Sequence, residues 1–159
     1  MGELILNSKF LMDYVADLNP IRDLGSTPHG GRQIYNVAGG WFEGPSLKGK
    51  VLPDGADWLL IRPDGILELD VRATLETDDG ALLYVTYYGL IKATAECFAR
   101  FGSDDPPKAS EFYFRTCPRI STGDPRYQWL NEAVCVSIGN PEHIPIKPNQ
   151  VAYRVFQIL

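Results

Sequence analysis

The sequence predicts an all-β fold, a barrel or sandwich of short antiparallel strands. Three observations carry that expectation. Apolar stretches are short and rich in Val, Ile, Leu, Tyr and Phe. Turn signals separate them at close intervals: "NP" at Asn19, "PHGG" at Pro28, "GP" at Gly44, "PDG" at Pro63, "DDG" at Asp78, "DDPP" at Asp104 and "NP" at Asn140. Helical periodicity is nearly absent.

In chain order, the strands expected are Leu4 to Ala16, Arg32 to Trp41, Asp57 to Arg62, Ile66 to Thr77, Ala81 to Lys92, Ala95 to Arg100, Ser110 to Cys117, Asn131 to Ile138 and Val151 to Ile158. The first is long enough to bend. Gly39-Gly40, at the end of the second, marks a bulge or sharp turn of a barrel corner. The one helical segment is "DPRYQWLN", where Asp124 can cap and Pro125 takes the first helical position. Strands without helices to cover them need a second sheet or closure on themselves.

The chain has 159 residues, which suits one domain, 1–159. Hydrophobic residues make up 45%, enough for a core. The formal net charge is −5, and no basic stripe marks a nucleic-acid or anionic membrane surface. The partner expected is a small organic molecule, with no nucleic acid and no membrane; a homodimer stays open. Cys97, Cys117 and Cys135 are odd in number and widely spaced, which points to reduced thiols in a cytoplasm. The N-terminus lacks the basic start and continuous apolar run of a signal peptide.

The stretch Ile66 to Val85, "ILELDVRATLETDDGALLYV", poses the functional question. Residues two apart on a strand share a face about 7 Å apart, so Glu68, Asp70, Arg72 and Thr74 point one way and Leu67, Leu69, Val71 and Ala73 the other. Taken alone, the charged face reads as solvated. The neighbouring strands suggest otherwise. If Asp64-Gly65 and Asp79-Gly80 form two-residue hairpin loops, Arg72 lies opposite Asp57 and Tyr87, within a face otherwise made of Leu59, Ile61, Leu83, Val85 and Ile91. A mostly apolar face with a few polar groups is how a small-ligand cavity is lined. Loops one residue longer would place Thr86 or Tyr88 opposite the charges instead.

On the cavity reading, Arg72 must be paired, with Asp57 across from it and Asp70 nearby. Asp57, Asp70, Arg72 and Tyr87 are then candidate catalytic residues: a carboxyl to move a proton, a guanidinium to hold a carbonyl, enolate or carboxylate, and a phenol to donate. A purely structural ion-pair network is the competing reading. Trp58, Tyr88 and Trp129 are candidate ligand-stacking residues, though aromatics also fill barrels. Asn131 is a candidate for the barrel mouth or for a turn. His29 and His143 stand too far apart to suggest a metal site, and no metal or cofactor is expected. Neither a phosphate loop nor a nucleophile elbow occurs, and these absences argue against hydrolase, kinase, zinc enzyme and dinucleotide oxidoreductase.

The run "GGWFEGPSLKGKVLPDGADWLLIRPDGILELDVRATLETDDGALLYV", with "YQWLN" downstream, resembles uncharacterised protein family 0311, also called domain of unknown function 3237. The motifs are Gly39-Gly40, Gly44-Pro45, Gly55-Ala56-Asp57-Trp58, Asp64-Gly65, Asp70 with Arg72, Asp79-Gly80 and Trp129-Leu130-Asn131. The resemblance implies a lipocalin-like barrel, closed or nearly so, but no defined reaction. By motif match it points to Asp57, Trp58, Asp70, Arg72, Trp129 and Asn131 as the place to look for a site. Two functions are expected from these residues. One is a cofactor-free isomerase, cyclase or hydratase/lyase acting on a small, partly apolar molecule. The other is a non-catalytic binding protein using the same cavity, with a ligand-free interaction protein as the remaining alternative.

Overall fold

The computed structural model describes residues 4–159; residues 1–3, which the expected domain includes, lie outside the described residues. Nine strands follow one another: β1 (Ser8–Leu18), β2 (Arg22–Thr27), β3 (Gly30–Glu43), β4 (Lys48–Ile61), β5 (Leu67–Thr77), β6 (Leu82–Lys92), β7 (Tyr113–Ser121), β8 (Cys135–Gly139) and β9 (Gln150–Ile158). The sheet order is β1-β9-β8-β7-β6-β5-β4-β3, and β1 pairs again with β3, so eight strands close into an antiparallel barrel. β2 is an extra strand paired to the first half of β3. Closure leaves the ring without a free edge.

β3 serves two neighbours because it bends. Its second half pairs with β1 and its first half with β2, and the β3–β4 register slips between Asn36 and Trp41. Gly39 and Gly40, at φ +149° and +136°, make the bend. A Cβ on Gly40 would stand 2.0 Å from the Val15 carbonyl oxygen, so only glycine lets β1 approach.

Several segments differ from expectation: β1 begins at Ser8 rather than Leu4, and β4 at Lys48 rather than Asp57. Ala95 to Arg100 is a helix, α1, not a strand. Thr94 Oγ1 accepts the Cys97 N–H at 3.1 Å, Glu96 lies in the first turn and Arg100 in the last, so capping and dipole both favour helix over an apolar pattern too short to decide. β2 was not expected because it has no alternation to show: nearly all of it is exposed and Gly25 interrupts it. The segment Pro125–Glu132 is helical as expected, in 3-10 form, with Asp124 as its cap. It shortens the strand expected from Asn131 to Cys135–Gly139.

The barrel interior divides along its axis. Leu75, Leu83, Phe42, Val155 and Leu130 are at most 2% exposed at one end, where the 3-10 segment inserts Leu130 as a plug. At the other end α1 lies across the opening, and the interior is hollow.

Candidate functional site

Strand parity decides which side chains see the hollow, and hairpin loop length sets parity. Arg62 N–H donates to the Ile66 carbonyl and Gly65 N–H to the Arg62 carbonyl, each at 2.9 Å. The loop is therefore Pro63-Asp64-Gly65, three residues, with Gly65 in the left-handed region at φ +83°. The next hairpin is built the same way on Asp78-Asp79-Gly80, with Gly80 at φ +90°. In the resulting register Asp57 stands opposite Val71 and Val71 opposite Tyr87, while Arg72 stands opposite Ala56 and Thr86.

This corrects the expected site. Asp70 and Arg72 do not share a face with Asp57 and Tyr87: they are exposed on the outer wall. The Arg72 guanidinium lies over the Trp58 ring, 5.5 Å from its centroid, also outside the hollow. Tyr88 is 52% exposed and Trp129 36% exposed, likewise away from it. Asn131 does not reach a barrel mouth: its amide clamps Thr122, accepting the backbone N–H at 2.8 Å and donating to the carbonyl at 2.9 Å. Of the eight candidates, Asp57 and Tyr87 line the hollow.

The cavity holds about 520 Å³. Its walls are mostly apolar, with Leu59, Leu69, Val71 and Phe114 among them, and Phe98 and Phe101 of α1 and the following turn closing over the top. Sequence reasoning missed both phenylalanines because it read α1 as a strand. It also missed Tyr35, Gln33 and Tyr153, whose inward parity follows only from the register.

Asp57 is the acidic group on this wall, and the backbone beside it is unusual. The β4–β5 ladder runs through Ala56–Arg72 and Asp57–Val71 and resumes at Leu60–Glu68, but the Trp58–Asp70 pair is not formed. Two of its backbone groups are taken by side chains. Asp70 N–H donates to Asp57 Oδ1 at 3.0 Å, and the Trp58 carbonyl accepts from Arg32 Nη1 at 2.7 Å. The Asp57 carboxylate thus replaces a main-chain carbonyl while facing a largely apolar cavity. Burial dominates its chemistry: desolvation pushes the carboxyl up to about 7, the Asp70 N–H opposes this, the Asp70 charge adds to it and Arg32 draws it down.

Tyr87 and Tyr153 line the floor, and Tyr14 is buried against them. Tyr14 stacks on Tyr153 at 5.5 Å, and Tyr87 packs edge-on against Tyr153 at 5.2 Å. Burial raises the phenols of Tyr87 and Tyr153 well above their ordinary range and that of Tyr14 to about 12, so all three keep their protons at neutral pH. The Tyr14 hydroxyl lies near that of Tyr87, but no well-aligned hydrogen bond joins them. Tyr35 faces Asp57 from β3, and its phenol is raised too, first by burial and then by the Asp57 charge. Among the described residues no cluster of His, Cys, Asp and Glu is placed to hold a metal ion, and no helix is long and apolar enough to cross a membrane.

Comparison with known proteins places this barrel among relatives. A UPF0311 protein of Rhodopseudomonas palustris is 38% identical over 79% of this chain and 82% of its own length. The crystal structure of a conserved protein of unknown function from R. palustris superposes with a TM-score of 0.89 at 32% identity, covering 99% of this chain and all of that one. A structure described as an enzyme from Penicillium herquei shares the fold at a TM-score of 0.70 and 19% identity, over the full length of both chains. The family described as protein of unknown function (DUF3237) matches residues 6–158, and the chain belongs to it.

Proposed function

We propose that the cavity binds a small, largely apolar organic molecule and that Asp57 moves a proton on it without a cofactor. The observation that carries this reading is Asp57 itself, a carboxyl on the wall of a largely apolar pocket with its pKa brought to about 7. A group that titrates near neutrality can both take and return a proton, which is what general acid–base catalysis asks of it. The step is a balanced one. Asp57 takes a proton from carbon next to a carbonyl, the electron pair moves onto the carbonyl oxygen, and the proton returns elsewhere on the skeleton. Tyr87 and Tyr153, held protonated, are the donors available to the developing oxyanion. This inventory suits isomerisation, cyclisation, or addition or loss of water. Arg72 has no part in it, because it lies outside the barrel.

The test uses 2-tetralone, a bicyclic ketone with exchangeable protons, in D2O near neutral pH. The protein is expected to speed deuterium uptake over buffer, and Asp57→Asn to reduce the acceleration by about a hundred-fold or more, the usual range for losing a general base. Tetralone that binds without any acceleration would reject catalysis and leave the second reading, a carrier. That reading is favoured by the bond from Asp70 N–H to Asp57 Oδ1, which gives the carboxylate a structural occupation of its own.

A further inference from the structure

At Tyr35 the cavity wall has a fixed sense of hydrogen bonding, and a chain of three residues sets it. Asp23 on β2 is an exposed carboxylate, and Gln33 Nε2 on β3 donates to its Oδ2 at 3.3 Å. Tyr35 OH then donates to Gln33 Oε1 at 3.2 Å. The order has no alternative while Asp23 is ionised. A carboxylate only accepts, so the Gln33 nitrogen must face it; the Gln33 oxygen must then face Tyr35, and Tyr35 must spend its one proton on that oxygen. What the phenol presents to the cavity is lone pairs. Asp57, directly opposite on β4, adds a second acceptor whenever it is ionised. No lysine, arginine or histidine lines the cavity among the described residues.

We propose that Asp23, Gln33 and Tyr35 form a positioning relay that fixes Tyr35 as a hydrogen-bond acceptor, so that the cavity selects molecules presenting a donor, such as a phenol, enol or amine, and rejects carboxylates. The inference rests on the cavity being a ligand site and adds the class of ligand. A bound carboxylate would find no cation and would lie beside Asp57 and the Tyr35 lone pairs, with only the neutral phenols of Tyr87 and Tyr153 to donate to it, too little to offset burying its charge. A hydroxyl or N–H would replace its bond to water by one to Tyr35. The relay also explains β2: the extra strand adds no wall to the closed ring, but it carries the carboxylate that orients Gln33.

The test compares 2-naphthol, 2-methoxynaphthalene and 2-naphthoate by calorimetry or tyrosine fluorescence at pH 7.5. The ether keeps the oxygen and loses the proton. Wild type is expected to prefer naphthol to the ether by about ten-fold, the range of one hydrogen bond, and to bind naphthoate weakest of the three. Tyr35→Phe should shrink the preference for naphthol over the ether to what Asp57 alone supplies. Gln33→Met should shrink it by tightening the ether, because the freed Tyr35 proton can then be donated; a merely structural Gln33 would weaken both ligands alike. If the naphthol-to-ether ratio is the same in wild type and both variants, the relay is overturned and the cavity reading stands. If none of the three probes binds, the cavity reading and the relay fail together.

Discussion

The two ends of the barrel use the same strands for opposite purposes. At the end where β5 finishes, Leu75 and Leu83 are fully buried, and Leu130 of the 3-10 segment fills the remaining space. The polar groups there bind one another: Tyr127 OH donates to Asp79 Oδ2 at 3.0 Å, and Arg126 pairs with Asp79 at 3.1 Å and with Asp124 at 2.7 Å. At the end where β5 begins, Leu67 and Ile61 are only partly buried around a cavity of about 520 Å³, and the cover is a six-residue helix. One end is packed for stability, and the other gives up packing to keep a hollow. Apolar burial is worth about 25 cal/mol per Å² and contacts are lost wherever a void replaces a neighbour, so the hollow end contributes less than its strand length suggests.

Leucine truncations give the strongest check on this contrast. Leu75→Ala or Leu83→Ala should cost about 2–5 kcal/mol in urea unfolding, whereas Leu67→Ala, already beside empty space, should cost well under half as much. Equal losses would mean that the two ends are packed alike. Next comes Leu130→Ala, which should cost about 2–3 kcal/mol if the 3-10 segment is a true plug, and well under 1 kcal/mol if it merely lies against the barrel.

The third measurement is the pH dependence of the open end. Asp57 holds its proton more tightly when folded, since its carboxyl is raised from 3.8 to about 7. The stability it contributes is therefore present below the ordinary carboxylate range and is lost as pH rises through about 7. Asp57→Asn keeps the acceptor for Asp70 N–H and removes the charge. Its melting temperature relative to wild type should thus climb between about pH 4 and pH 7.5 and level off above. A difference that stays flat across that range would place the carboxyl in water. The smallest effect belongs to the outer wall: Arg72→Ala should change stability by no more than about 1 kcal/mol, the loss of an exposed cation–π contact, and should leave naphthol binding unchanged.

The barrel was legible because turn residues and apolar alternation repeat along the whole chain. The site was legible only in part, and the reason is a single residue of loop length. Reading Asp64-Gly65 as a two-residue loop grouped Asp57 and Tyr87 with Asp70 and Arg72; the three-residue loop groups them with Leu69 and Val71 instead. The signal was in the sequence. A two-residue loop would require residue 63 to donate its N–H across the hairpin, and Pro63 has none, so Arg62 makes that bond instead. The second hairpin carries no such marker, and Asp78-Asp79-Gly80 fits either length. Tyr35, Gln33 and Asp23 were out of reach for a different reason. Gln33 and Tyr35 meet along β3, but the contact with Asp23 depends on β2, whose exposed residues leave no periodic trace.

The missing Trp58–Asp70 ladder bond limits how position 57 can change over evolutionary time. Valine or leucine there would suit the apolar walls, but would remove the oxygen that Asp70 N–H now bonds and leave that exposed group to water. Side chains that still offer an oxygen at that spot keep this bond. One carboxyl thus serves both strand pairing and the cavity wall, and a descendant that adopted a new substrate would begin with an acceptor already in place.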